Sequence, residues 1–201
     1  MGNAVAAAIE YDRAKQKMAI FTPSRLFIYY YARMLEGTIS EDAGCEIRDG
    51  VKVSAQYGAP PEIVWPYTEK KFAELPSVAA QKAAIHDRAL EYRRVDQTLE
   101  SLKACLTDGF PFIFGFKTFE NFHADKVERT GVLELPKAND SRSGAHAVLC
   151  VGYDNAKGGR FVIRNSWGWK FGVQGYFTMP YDYVCNPDLS DDFWVIKKIE
   201  S

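Results

Sequence analysis

The sequence predicts an α+β fold, because two different residue patterns divide the chain near Asp96. Before that point, apolar residues recur at helical spacing, and proline or glycine separates one segment from the next. Beyond it, short apolar and aromatic runs bounded by glycine are typical of strands. At 201 residues the chain can bury a core, as one large domain or as two small ones.

The first two helices are predicted from small residues and from capping signals. Residues 2–17 place small side chains on one face, which allows a neighbouring backbone to approach closely. A second helix is expected from an N-cap at Thr22, with Pro23 at its first position, to a stop at Gly37. The aromatic run over residues 27–31 of this helix is interpreted as core packing and not as a platform for a ligand.

Three more helices and a set of strands complete the prediction. Helices are expected from Asp42 to Gly58, over residues 77–90, and from Asp96 to a stop at Gly109. The predicted strands cover residues 111–116, 147–153, 161–163, 175–179 and 193–199, with a hairpin turn signal at Lys157-Gly158-Gly159.

Composition excludes several classes of function. With 25 basic and 26 acidic residues the net charge is -1, so the protein has no net positive electrostatic field that would attract nucleic acid or an anionic membrane. No apolar stretch approaches the ~18 to 20 residues that span a bilayer. Residues 1–10 lack the basic leading segment and the cleavage site of a signal peptide. We therefore expect a soluble protein, and the sequence leaves its compartment open.

Cysteine spacing also argues against a metal site. The four cysteines, Cys45, Cys105, Cys150 and Cys185, lie far apart and form no C-x-x-C pair, which excludes the common zinc layouts. A dense disulfide framework is not expected at this length. Cys105 and Cys150 lie in apolar runs and are predicted to be small core residues. We predict neither a metal nor a cofactor.

Two short segments have the pattern of a catalytic site: residues 144–148 (GAHAV) and residues 164–168 (RNSWG). A histidine on one strand and an asparagine at the end of its hairpin partner can face each other across the pair. A thiol nucleophile needs an imidazole to accept its proton, and the imidazole needs an acceptor that fixes its tautomer. The amide oxygen of Asn165 would be that acceptor for His146, and the indole of Trp167 would keep water away from the bond.

A histidine beside a strand is more often structural or exposed than catalytic. His86 and His123 have no comparable partner in the sequence, so both are interpreted as surface residues. His146 differs, because no ordinary turn requires the Asn-Ser-Trp-Gly segment that follows at hairpin spacing.

Residues 144–176 resemble the histidine and asparagine segments of papain-like cysteine peptidases. That family shows an Asn-Ser-Trp-Gly box, then a second Trp-Gly and a Gly-Tyr. Here Phe171-Gly172 replaces the second Trp-Gly, and Gly175-Tyr176 follows in step. Upstream, residues 42–44 resemble the family's glycine-rich substrate wall, with alanine in place of its first glycine.

The resemblance implies a two-lobed papain-like fold with a helical left lobe, an antiparallel β-barrel-like right lobe and a cleft between them. Residues 1–95, completed by residues 185–201, would form the helical lobe. Residues 96–184 would form the strand-rich lobe.

The resemblance also implies hydrolysis of peptide bonds by a Cys-His-Asn site in which His146 and Asn165 are catalytic. Trp167 and Ser166 would support this pair. The residues implied to line the substrate cleft are Gly44, Cys45, Ala145 and Phe171. The implied partners are a peptide or protein substrate, with a pro-segment or an inhibitor as further occupants of the cleft, and neither nucleic acid nor a membrane.

The family's nucleophilic cysteine begins the helix that matches residues 2–17. A separation of ~130 to 150 residues between cysteine and histidine places it at or just before residue 1, and the family's oxyanion glutamine would lie further upstream. Cys45 is the only serious substitute, and its position on the cleft wall is unsuited to attack beside His146.

We therefore expect the chain as given to be inactive, and three explanations stay open. Its start is missing, or it is a pseudo-peptidase that natively starts at Met1 and binds peptides or a protein partner. A third hypothesis, an unrelated binding module that matches by chance, must explain two boxes in the right order and at the right spacing.

Overall fold

The structure is a computed structural model that describes residues 1–200, except for the side chain of Lys157. Within these residues, seven α-helices and six β-strands follow one another as α1 (Gly2–Lys15), α2 (Arg25–Glu36), α3 (Ile47–Gln56), α4 (Val78–Ala84), β1 (Ala89–Arg94), α5 (Leu99–Thr107), β2 (Phe112–Phe119), α6 (Asp125–Thr130), β3 (Arg142–Asp154), β4 (Arg160–Arg164), β5 (Tyr176–Pro180), α7 (Tyr181–Cys185) and β6 (Ser190–Ile199). Short 3-10 helices cover Glu69–Lys71, Glu120–His123 and Ala156–Gly158. The predicted α+β class is confirmed.

The chain divides into two compact units, one formed by Met1–Arg93 with Trp194–Ser201 and the other by Arg94–Phe193. The lobe boundaries expected from the sequence stay predictions, and Ser201, the last residue of the expected segment 185–201, lies outside the described residues. In the part of the chain that the structure describes, no helix is long and apolar enough to cross a lipid bilayer.

Helix α2 of the first unit begins later than its sequence signals suggested. Pro23 forms an isolated bridge with Pro61, so the chain is still extended at this proline. Ser24 is the N-cap, and its hydroxyl accepts a hydrogen bond from the Phe27 N–H at 3.2 Å and donates one to the Trp65 carbonyl at 2.7 Å. The expected cap at Thr22 is therefore wrong, because the bridge keeps the chain out of the helix until Arg25.

The apolar face of α2 forms the core of the first unit. Its buried side chains pack with residues of α3, of α4 and of the proline-rich stretch between them. The members of this cluster from α2 and from these partners together are Leu26, Phe27, Tyr30, Tyr31, Ala32, Val53, Trp65, Ala80 and Ala84. This confirms the expected packing role for most of the aromatic run over residues 27–31. Tyr29 is only half-buried and lies at the edge of this cluster.

Two elements of the first unit differ from their predicted bounds. Helix α3 begins at Ile47 and not at Asp42, and α4 ends at Ala84, where the sequence pattern favoured a helix to residue 90. The residues after α4 form strand β1, and the Arg88 carbonyl just before it accepts the Glu200 N–H at 2.8 Å. That partner lies at the far end of the chain, so no local pattern reveals this strand.

The strand order of the sheet is β1-β6-β2-β3-β4-β5. Strands β2, β3, β4 and β5 are antiparallel neighbours, with Phe116 opposite His146 in the first pair and Leu149 opposite Arg164 in the second. The register of β3 and β4 shifts between Cys150 and Gly152, where β3 carries one unpaired residue. This register decides which side chains of the hairpin share a face.

The core of the second unit is rich in phenylalanine. Alternate residues of β2 place aromatic rings on one face, where rings from the other strands and from the following loops meet them. The buried aromatic members are Phe112, Phe114, Phe116, Phe122, Phe161, Phe171, Phe177, Tyr183 and Phe193. This cluster lies directly beneath the histidine of β3, since Phe116 and Phe122 both contact the His146 ring.

Candidate functional site

The β3–β4 hairpin brings His146 and Asn165 together on one face. Because Leu149 pairs with Arg164, the register places Asn165 just past that pair and His146 before it, both on the face opposite to the pair. The Asn165 N–H donates to the Gly175 carbonyl at 2.9 Å, which fixes the backbone after β4 ends. The contact expected from the sequence is confirmed, because His146 Nε2 lies 2.9 Å from Asn165 Oδ1.

A second hydrogen bond at Asn165 decides which ring nitrogen carries the proton. The Ser166 N–H donates to the same Asn165 Oδ1 at 2.8 Å, so this atom is the amide oxygen and acts as an acceptor. His146 Nε2 must then be the donor, and Nδ1 is left as the basic nitrogen of the neutral ring. The pair therefore holds an imidazole whose free lone pair can accept a proton from a thiol.

Burial lowers the pKa of the His146 imidazole below its ordinary value of 6.5, and the hydrogen bond to Asn165 offsets part of this effect. Desolvation disfavours the charged ring, whereas the amide oxygen favours it. The neutral base is thus the resting form at neutral pH. The other polar atom of Asn165, Nδ2, is buried and has no hydrogen-bond partner among the described residues.

The indole of Trp167 covers this pair. Its ring centroid lies 5.1 Å from that of His146 and 5.0 Å from that of Phe122, so the imidazole packs between aromatic surfaces. Trp167 is nevertheless 43% exposed, which leaves part of the indole facing solvent. This arrangement limits the access of water to the bond between His146 and Asn165.

The remaining residues of the predicted site occupy different environments. Ser166 and Ala145 are exposed in the second unit, whereas Phe171 is buried and packs edge-on against Trp167 at 5.1 Å. Gly44 is exposed and Cys45 is half-buried in the first unit. Their assignment to a substrate cleft stays a prediction.

His123 is a contact of this site that the sequence analysis missed. Its ring stacks on Trp167 with centroids 5.7 Å apart and planes 21° apart. No local pattern indicates this contact, because His123 lies in a 3-10 helix far along the chain from Trp167. His123 is exposed, as expected for a surface residue, and its contact with Trp167 is an addition to that prediction.

Burial raises the thiol pKa of Cys45, Cys150 and Cys185, which disfavours a reactive thiolate at these three cysteines. Burial raises the pKa of the Cys150 thiol well above its ordinary value and raises that of Cys45 to about 12. Cys150 is fully buried and Cys105 packs against the same core, which confirms their predicted structural role. Among residues 1–200, no group of three or more His, Cys, Asp and Glu side chains could hold a metal ion.

Comparison with known proteins identifies the family of this arrangement. The model of the family described as "Papain family cysteine protease" matches residues 36–191. The chain belongs to this family. It is 41% identical to an uncharacterized peptidase C1-like protein of Acanthamoeba polyphaga mimivirus over 206 residues, which is 98% of this chain and 66% of the viral protein. The chain thus spans just under two thirds of that relative.

Solved structures agree with this assignment. Xylellain, a cysteine protease from Xylella fastidiosa, matches with a TM-score of 0.92 and 43% identity, over 98% of this chain and 78% of that one. Procathepsin B from Trypanosoma congolense matches with a TM-score of 0.74 over 100% of this chain and 68% of that one. Its identity is 15%, so this second likeness concerns the fold alone.

Proposed function

We propose that His146 and Asn165 are the base and the orienting residue of a cysteine peptidase site that hydrolyses peptide bonds. The observation that carries the proposal is the 2.9 Å hydrogen bond from His146 Nε2 to Asn165 Oδ1, which leaves Nδ1 free as the base. Trp167 and Ser166 support the pair, one by covering the bond and the other by holding the amide oxygen through its N–H.

The proposed reaction has two steps. A cysteine thiol gives its proton to His146 Nδ1, and its sulfur attacks the peptide carbonyl to form a tetrahedral oxyanion. The imidazolium then protonates the amine as the C–N bond breaks, which leaves a thioester. In the second step water, deprotonated by the same imidazole, hydrolyses the thioester and returns the thiol.

We further propose that these 201 residues do not hydrolyse peptides on their own. Cys150 is fully buried, Cys105 and Cys185 pack against the same core, and the high pKa of Cys45 keeps that thiol protonated. The reacting thiol would come from a cysteine beyond these residues, at the position next to Met1 that the family resemblance implies.

Labelling by a peptidyl epoxide tests this assignment, because alkylation requires both a bound peptide and a thiolate. The chain itself should show neither labelling nor cleavage of fluorogenic dipeptides. The same chain extended at Met1 by Gly-Ser-Cys should be labelled at the added cysteine. A Gly-Ser-Ser extension is the matched control, and His146→Ala in the extended chain should slow labelling by roughly 10²-fold or more. Labelling at Cys45 with measurable cleavage would show that the nucleophile is misassigned.

A second candidate function is a peptidase-like protein that binds peptides or a protein partner without cleaving them. The raised thiol pKa values of Cys45 and Cys150, together with the intact pair of His146 and Asn165, favour this reading. The two functions differ in the extended chain. A pseudo-peptidase would bind the epoxide peptide reversibly, and the added cysteine would stay unlabelled.

The proposed ligand in either case is an extended peptide, from a substrate, a pro-segment or an inhibitor. Gly44, Cys45 and Ala145 are proposed as contacts of this ligand because their backbone or small side chains are accessible. Phe171 is proposed to act by supporting Trp167, since it is 6% exposed.

A further inference from the structure

One face of α2 holds the loop that joins it to α3. Tyr29, Arg33 and Glu36 follow the helical spacing that aligns side chains along one face. Each of them makes hydrogen bonds to residues 39–46, whereas the buried face of α2 packs into the core. The loop is therefore fixed by side chains of a single helix and not by a strand partner.

Arg33 and Glu36 bind the two ends of this loop. The Arg33 guanidinium donates to the carbonyls of Ile39 at 2.7 Å and Glu41 at 3.0 Å. The Glu36 carboxylate accepts the Glu46 N–H at 2.9 Å, immediately before α3 begins. The Glu46 N–H, directly before α3 starts at Ile47, thus has its partner outside the helix.

Tyr29 binds the middle of the loop through one hydroxyl group. It donates to Asp42 Oδ1 at 2.6 Å and accepts the Gly44 N–H at 3.1 Å. The Arg33 guanidinium lies over the Tyr29 ring, 4.1 Å from its centroid, and restricts its orientation. Burial raises the pKa of Tyr29 to about 12, so the hydroxyl keeps the proton that it donates.

The segment that Tyr29 holds exposes backbone groups with no partner. Asp42, Ala43 and Gly44 are exposed, and within residues 1–200 the carbonyls of Ala43 and Gly44 form no hydrogen bond. Gly44 has a φ of +85°, and a Cβ built there would meet no atom within 4 Å. Open space beside a fixed, unpaired backbone suits an extended peptide, which binds by main-chain hydrogen bonds.

We propose that Tyr29 is a positioning residue for peptide binding, because its hydroxyl, held between the Asp42 carboxylate and the Gly44 N–H, presents the backbone of residues 42–45 to an extended peptide. This inference rests on the proposed function and adds a residue to it that has no contact with the reacting atoms. Since the Gly44 N–H is already bound by Tyr29, the peptide would use the carbonyl of Gly44 as an acceptor.

A titration of the ¹⁵N-labelled chain with the capped peptide acetyl-Leu-Leu-Arg-amide tests the inference, with amide shifts as the readout. We expect shifts at Gly44 and Cys45, and a Kd about 5-fold higher in Tyr29→Phe, since one hydrogen bond is worth about 1 kcal/mol. Tyr30→Phe is the matched control. It removes a hydroxyl from the same helix, and Tyr30 has no described hydrogen bond to residues 39–46.

An N-methylated peptide separates positioning from a general loss of stability. Methylation of the central leucine nitrogen removes the donor that would reach the Gly44 carbonyl, so Tyr29→Phe should change the Kd of this analogue by less than about 2-fold. A purely structural role would weaken both peptides equally.

The outcomes distinguish this inference from the proposed function. Equal affinity of the wild-type chain and Tyr29→Phe for the parent peptide overturns the inference and leaves the peptidase site in place. So does a peptide that shifts the amides around His146 and Trp167 and not those of Gly44 and Cys45. A peptide that shifts neither set contradicts both.

Discussion

The β3–β4 hairpin and the loop over residues 39–46 are held in place by different interactions. Backbone pairing in the β3–β4 hairpin positions His146 and Asn165, and the His146 ring packs on the buried rings of Phe116 and Phe122. Residues 39–46 have no strand partner and are held by polar side chains of α2, among them the fully buried Arg33. The hairpin region should therefore lose stability mainly when buried apolar volume is removed. The loop over residues 39–46 should be released mainly when a hydrogen-bond donor is removed.

The largest expected effect is in the aromatic region, at Phe122. Its fully buried ring lies 6.0 Å from His146 and 5.0 Å from Trp167, between centroids. Phe122→Ala should lower the free energy of unfolding by about 3–5 kcal/mol, because it removes buried apolar contacts and leaves a cavity. Unfolding in urea measures this loss.

The control for Phe122 is an exposed apolar residue of the same unit. Val173 is 62% exposed, and Val173→Ala should change the free energy of unfolding by no more than about 0.5 kcal/mol. If Phe122→Ala cost less than about 1 kcal/mol, packing would not be what holds the His146 ring.

The next effect concerns the polar region, at Arg33. Its guanidinium donates to the carbonyls of Ile39, Glu41 and Phe72. Arg33→Met keeps the length of the side chain and leaves these acceptors without a donor, so we expect a loss of about 2–4 kcal/mol. Hydrogen exchange at Gly44 should accelerate as well, because the loop is released.

Arg48→Met is the comparison variant for Arg33. The Arg48 side chain is 58% exposed, and its loss should change stability by about 0.5 kcal/mol or less. Unchanged exchange at Gly44 in Arg33→Met would show that Tyr29 and Glu36 hold the loop without Arg33.

A smaller effect is expected at Asn165, whose side chain forms one hydrogen bond with the His146 imidazole. Asn165→Ala should cost about 1 kcal/mol of stability. It should also lower the pKa of His146 further, since burial remains and the bond that opposes it is lost.

Asn165→Asp is the matched variant, and it should shift the His146 pKa in the opposite direction. A carboxylate favours the imidazolium, so the pKa of His146 should rise above that in the wild-type chain. NMR titration of the His146 ring measures both variants. Equal titration midpoints in all three proteins would mean that the amide oxygen does not influence the imidazole.

The same contrast explains how much the sequence could reveal. The contact of His146 with Asn165 was predictable because each lies in a short contiguous segment and because a hairpin joins the two segments. The aromatic core was predictable from the apolar runs of β2 and β4. Family membership followed from the same boxes and is confirmed by the comparisons. The catalytic roles themselves stay predictions.

What the sequence could not reveal depends on partners distant in the chain. The aromatic run over residues 27–31 indicated core packing, yet Tyr29 uses its hydroxyl to bind Asp42 and Gly44. Strand β1 needs a partner from the end of the chain, and His123 reaches Trp167 only in the folded unit. Each of these contacts requires tertiary geometry that a local pattern does not encode.

The smallest expected effect is the pH dependence that His146 gives to the second unit. Its folded-state pKa lies below its ordinary value of 6.5, mainly because of burial. As the pH falls, His146 therefore binds a proton in the unfolded chain before it does so in the folded chain. Its contribution to stability is complete above pH 6.5 and is lost as the pH falls through the folded-state pKa. In His146→Gln this part of the pH dependence should be absent, because glutamine does not titrate. Urea unfolding of both proteins across this range gives the difference curve, and the proposed environment of His146 is wrong if the wild-type chain gains stability relative to His146→Gln as the pH falls.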